Sequence, residues 1–226
     1  MSHDATACDG WDGSECEGTV HCPPRCPRFV DKQGARWTIR PAVREDAAAL
    51  AEMYEGFGTA DRAQGLPPVT RSRRADWIET MLADGSNVVA ERNGEPFGHA
   101  MYTPTDAARP ELAVFVYPEM QGRGVGTELC RHVIADAAAG SREGLELHVE
   151  SGNRVARSVY RSVGFELADR RGDLRMTLDL DGPIATEVRW PPFAREGSAE
   201  PIPREPIPRE PIPIGFDGPR VATGDD

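Results

Sequence analysis

The stretch PEMQGRGVGTELC, residues 118–130, sets Gly122, Gly124 and Gly126 between an apolar run and an amphipathic one. Glycine loses more conformational freedom on folding than any other residue, so its repeated use points to work done by the main chain. A strand that ends in such a turn and opens a helix gathers unpaired N–H groups at the positive end of the helix dipole. That is a site for an anion such as a phosphate. A P-loop would need G-x-x-x-x-G-K-[ST], and no lysine follows here. A dinucleotide fingerprint counted from Gly122 would put its third glycine where Thr127 stands. The pattern that fits is Gln121-x-x-Gly124-x-Gly126.

A second group of reactive side chains lies near the start of the chain. Cys8, Cys16, Cys22 and Cys26, with His21 as a substitute ligand, could supply a tetrahedral thiolate site for zinc, with HCPPRC as one knuckle. Only Cys22 and Cys26 have ordinary ligand spacing, so a flexible tail with free thiols is the alternative. Stable disulfides are not expected in a reducing cytosol. Cys130 falls on the apolar stripe of a helix and reads as a small buried hydrophobe.

The elements that must position the glycine turn are read from periodicity. RWTIRPAV is a short strand, and REDAAALAEMYEGF a helix with Leu50, Tyr54 and Phe57 on one face. SRRADWIETMLADG is a second helix that buries Ile78, Met81 and Leu82 and ends at Gly85. NVVAERNGEPFGHAMYT is a hairpin turning at Asn93-Gly94. ELAVFV is nearly continuous in apolar residues, as a strand covered on both faces should be. The helix after the turn carries Leu129, Cys130, Val133, Ile134 and Ala137 as its stripe. LELHV is a strand, NRVARSVYRSVG a short helix stopped by Gly164, and FELADR with DLRMTLDL a closing hairpin. Helices and strands interleave with hairpins at both ends, which predicts an α/β (α+β) domain on a sheet of mixed direction.

The chain of 226 residues is enough for one domain with appendages. Residues 1–35 lack periodicity, 36–182 carry it, and 183–226 contain the repeat EPIPREPIPREPIPIG. Proline at that density predicts an extended tail, read as a spacer. A formal charge of -11 disfavours nucleic acid and anionic membranes as partners. The acidic, arginine-rich composition, with Lys32 as the only lysine, suits a salt-rich cytosol or a GC-rich genome. No apolar run approaches the roughly 20 residues of a membrane span, and the first residues do not read as a signal peptide, so the expected location is cytoplasmic.

Gln121-x-x-Gly124-x-Gly126 after ELAVFV resembles the acetyl-CoA signature of the GNAT superfamily of N-acetyltransferases. NRVARSVYRSVGFE is similar to that family's Asn-x-x-Ala-x-x-x-Tyr-x-x-x-Gly-Phe block, through Asn153, Ala156, Tyr160, Gly164 and Phe165. The resemblance spans about residues 36–181 and implies a mostly antiparallel sheet of six or seven strands with about four helices. It implies that amides of Gln121, Gly122, Arg123, Gly124, Val125 and Gly126 hold the pyrophosphate of acetyl-CoA. The strand backbone near Val114 and Val116 would pair with pantetheine, and Asn153 would bond the cofactor arm while also serving as an N-cap. Tyr160 would protonate the departing thiolate, with a packing role in the core as the alternative. Glu111 would drain the proton of the attacking amine; Glu146, His148 and Glu150 are alternatives, as is a solvated strand-end glutamate. The implied reaction is direct acetyl transfer to a primary amine of a small molecule or peptide, with a homodimer as an open option. The segment GFGTADRAQGLPPVT would build the acceptor pocket, and its Asp61 could attract an ammonium group. The alternative reading is a catalytically inactive acyl-CoA sensor or interaction module on the same fold.

Overall fold

The computed structural model describes residue 11 and residues 16–62, 66–170 and 172–191. Eight strands form one sheet: β1 (Arg28–Val30), β2 (Arg36–Pro41), β3 (Ser86–Arg92), β4 (Glu95–Thr103), β5 (Glu111–Val116), β6 (Gly144–Val149), β7 (Glu166–Asp169) and β8 (Leu174–Asp179). Their order is β1-β2-β3-β4-β5-β6-β8-β7. Every neighbouring pair is antiparallel except β5 and β6. Among the described residues five α-helices cover it: α1 (Ala47–Glu55), α2 (Arg71–Asp84), α3 (Val125–Ala139), α4 (Arg154–Ser162) and α5 (Pro183–Glu187). The described elements thus reach past both boundaries read from the sequence, with β1 before residue 36 and α5 after residue 182. The strand and helix counts exceed the expectation by these two short elements.

Two apolar layers flank the sheet. On one face α3 buries Leu129, Cys130, Val133, Ile134 and Ala137, the stripe read from its period, against Trp37, Leu145, Leu147 and Met176. Each large aliphatic side chain so buried contributes about 1.5–3 kcal/mol. Tyr160, Phe165 and Val188 complete that layer. On the other face α1 and α2 pack Leu50, Tyr54, Phe57 and Ile78 on Val89, Met101 and Phe115. Successive strand residues point to opposite faces. Accordingly Leu112 of β5 enters the α3 layer, whereas Ala113 and Phe115 enter the α1–α2 layer.

A buried polar chain ties α1 and α2 to the sheet. The Tyr54 hydroxyl lies 2.7 Å from His99 Nδ1, and His99 Nε2 lies 3.0 Å from Asn87 Oδ1. Asn87 Nδ2 donates to the Met81 and Gly85 carbonyls at the end of α2, so its Oδ1 faces the ring. His99 therefore donates from Nε2 and accepts the tyrosine proton at Nδ1. Burial lowers the His99 pKa to about 3, which keeps the ring in that neutral form. Gly85 does end α2, but in extended rather than left-handed backbone. The turn at Asn93-Gly94 has φ of 54° and 82°, as a two-residue hairpin requires.

Candidate functional site

β5 and β6 are the one parallel pair of strands among the described residues, and they share a single register position, Glu111 with Glu146. From there the two strands diverge. On its other side β5 pairs with β4 from Thr103↔Glu111 to Gly98↔Val116. Beyond Glu111, then, the edge of β5 that faces β6 has no strand partner among the described residues, Val114 and Val116 lie along this gap, and an extended chain could be added there. At its far end the Gln121 side chain donates to the Val116 carbonyl at 3.2 Å.

The glycine turn closes that end of the gap. A single 3-10 turn, Pro118–Met120, leads into Gly122 at φ +72° and Gly124 at φ +97°, and α3 begins at Val125. Gly124 is the N-cap, and no side chain caps the helix. The first amides of a fifteen-residue helix are therefore left for a ligand. A Cβ at Gly122 would meet nothing within 4 Å, so that side is open. A Cβ at Gly126 would stand 3.4 Å from Val116 Cγ2, an ordinary van der Waals contact, so the space there would admit a small side chain. Arg123 commits its guanidinium to Asp31 at 2.6 Å and sets it over the Trp37 ring.

The left-handed backbone at Gly124 carries a testable cost. An L side chain there is disfavoured by roughly 1–2 kcal/mol. Gly124→Ala is expected to turn the loop amides and weaken coenzyme A binding by up to about tenfold, read by calorimetry.

The second implied block lies on α4. Asn153 caps this helix, its side-chain oxygen accepting from the Ala156 amide at 3.0 Å. Tyr160 is buried on the inner face of α4 and packs edge-on to Phe165 with ring centroids 6.0 Å apart. Burial pushes its phenol above the usual tyrosine range. No protein group among the described residues bonds its hydroxyl. Cys130 is fully buried and its thiol is pushed up to about 12, again chiefly by burial, so it is no nucleophile.

Across the sheet Glu111 shares the face of Ala113 and Phe115. Its Oε1 lies 3.1 Å from His148 Nδ1, which joins two residues that the sequence offers separately. Glu146 is engaged by Arg175 at 3.1 Å. Asp61 is spent locally, accepting from the Gly58 amide at 2.9 Å. Of the segment expected to line an acceptor pocket, residues 63–65 lie outside the described residues.

The zinc expectation is not supported. Among the described residues no group of three or more His, Cys, Asp or Glu could hold a metal ion. Cys8 lies outside the described residues, and Cys22 Sγ accepts from the Thr19 amide at 3.3 Å. The segment has other reasons to be ordered. Arg25 pairs with the buried Glu128 of α3 at 2.6 Å, and the Cys26 amide donates to the Trp190 carbonyl. Sequence reading missed this docking, because contacts between Arg25 and Glu128 and between Cys26 and Trp190 join residues far apart in the chain and leave no local pattern.

The family model described as the acetyltransferase (GNAT) family matches residues 48–165. The L-amino acid N-acyltransferase MnaT of Escherichia coli is 30% identical over 135 residues, 57% of this chain and 78% of its own length. An L-methionine sulfoximine/L-methionine sulfone acetyltransferase of Pseudomonas aeruginosa is 27% identical over 139 residues, 58% of this chain and 81% of its own. The solved structure of yncA from Salmonella typhimurium with its cofactor acetyl-CoA superposes with a TM-score of 0.54 at 28% identity. The match covers 65% of this chain and 95% of that one.

Proposed function

Because this chain belongs to the acetyltransferase (GNAT) family, we propose that it moves the acetyl group of acetyl-CoA to the primary amine of a free, amino-acid-like acceptor. The observation that carries this reading is the gap between β5 and β6, closed at one end by the uncapped glycine turn. In it the turn amides hold the diphosphate, the free edge of β5 near Val114 and Val116 pairs with pantetheine, and Asn153 bonds the arm. Glu111, paired with His148, takes the proton from the acceptor ammonium on the α1–α2 face. The neutral amine attacks the acetyl carbonyl, a strand amide polarises its oxygen, and the carbon–sulfur bond breaks. Tyr160, in the opposite layer, gives its proton to the departing thiolate, and the excess proton shed by the newly acylated nitrogen passes through solvent to restore the phenol.

Two features support an amino acid as acceptor. Relatives with amino acids and their analogues in their names match this chain. Arg62, in the segment after α1, donates to the Phe57 carbonyl at 3.1 Å, and its Nε–H is buried without a partner among the described residues. A carboxylate is the natural complement of that donor. The test is release of the CoA thiol with L-amino acids and with the matching amines that lack the carboxylate. The acids are expected to react at least about tenfold better in kcat/KM, the worth of one charge-assisted contact. Turnover of peptides or polyamines alone would refute the acceptor class, and tight CoA binding with no turnover of any amine would favour a sensor.

A further inference from the structure

β1 and the turn that joins it to β2 lie outside the residues matched by the family model, yet they hold the glycine turn at both ends of one residue. The Asp31 side chain is fully buried, and both its oxygens are used. Oδ2 accepts from Trp37 Nε1 at 2.8 Å and from Arg123 at 2.6 Å; Oδ1 accepts from the Gln33 and Ala35 amides at 2.9 Å. Burial alone would raise its pKa. The bonds from Arg123, Trp37 and the two amides outweigh that and lower it to about 2. The group thus stabilises the fold above its ordinary value of 3.8, an effect lost only as pH falls towards 2.

The main chain of Arg123 is held as well, its carbonyl accepting from the Lys32 amide at 3.1 Å. That carbonyl and the Gly124 N–H belong to one planar trans peptide and point in opposite directions. Fixing the first therefore aims the second. Lys32 itself reaches over the turn: its Cε would lie 3.7 Å, and its Cγ 3.8 Å, from a Cβ at Gly124. Its ammonium is exposed and has no partner among the described residues. It is the only lysine of a chain with a formal charge of -11.

We propose that the β1–β2 hairpin is a third wall of the acetyl-CoA site. Asp31 is a positioning residue that orients the Arg123–Gly124 peptide, and Lys32 gives its ammonium to a phosphate of the cofactor. The proposal rests on the acetyl-CoA reading of the turn. It is tested by calorimetry of the full chain with coenzyme A and with 3′-dephospho-coenzyme A. Lys32→Ala is expected to weaken coenzyme A binding about tenfold, and Lys32→Arg to restore it to within about threefold, at unchanged Tm. Equal losses on both nucleotides assign the contact to the diphosphate; a loss on coenzyme A alone assigns it to the 3′-phosphate. Asp31→Asn and Arg123→Met should each weaken both nucleotides, and the double variant should be no worse than either, since all three break one lock. The acceptor KM at saturating acetyl-CoA should not move. Should Asp31→Asn fail to fold, Arg123→Met and Lys32→Ala still decide. Wild-type affinity in Lys32→Ala overturns the phosphate contact, and wild-type affinity in a folded Arg123→Met overturns the positioning role. A wild-type chain that binds no coenzyme A would instead defeat the acetyltransferase reading itself.

Discussion

Tyr160→Phe is expected to lower kcat by about a hundredfold or more while leaving the Kd for coenzyme A within about twofold. The two effects separate because ring and hydroxyl do different work. The ring fills the α3–α4 layer against Phe165, and phenylalanine fills it equally well. The hydroxyl bonds no protein group among the described residues, so its removal strands no buried partner. What disappears is the proton donor proposed for the thiolate. Burial raises the phenol above its ordinary pKa of 10.0, so the donor keeps its proton throughout the working range. The wild-type rate should accordingly show no falling limb near pH 10.0 from this group. Steady-state rates across pH, with calorimetry beside them, check both points. A variant with full kcat would return Tyr160 to a packing role.

Glu111→Gln should lower kcat/KM for the amine by about 10²- to 10³-fold near neutral pH, the range of a lost general base. The deficit should shrink as pH rises, because the free acceptor then supplies its own neutral amine. His148→Ala should cost less than Glu111→Gln, since it removes the partner at 3.1 Å and not the proposed base. The pH profile of kcat/KM for the three proteins is the measurement. Equal rates at every pH would leave Glu111 as a solvated strand end.

How much of this was legible before the structure depended on what kind of information each feature needs. The glycine turn, the stripe of α3 and the Asn93-Gly94 hairpin are local, set by period and by backbone that glycine or asparagine tolerates. The structure has them where periodicity put them. β1 and α5 were not read because they have only three and five residues, too few for a period, and owe their existence to what they pack against. Val188 and Ala185 sink into the α3 layer, and β1 pairs along its whole length with β2. The Glu111–His148 pair needs the register between two strands that are far apart in sequence. The sequence could nominate both residues but not join them. The cysteine spacing suggested a metal knuckle that the described residues do not support, and what ties that segment down, Arg25 on Glu128 and the Trp190 backbone, again joins residues far apart in sequence.

The proposed acetyl transfer depends on coenzyme A lying along the free edge of β5 with its diphosphate on the glycine turn. The most direct measurement is titration of ¹⁵N-labelled protein with coenzyme A, following backbone amide shifts. Saturable changes are expected to concentrate at residues 112–117 and 121–128 and to be absent when an equal concentration of adenosine is added. No saturable shift, or shifts confined to the exposed face of α4 around Arg154, Arg157 and Arg161, would contradict this placement.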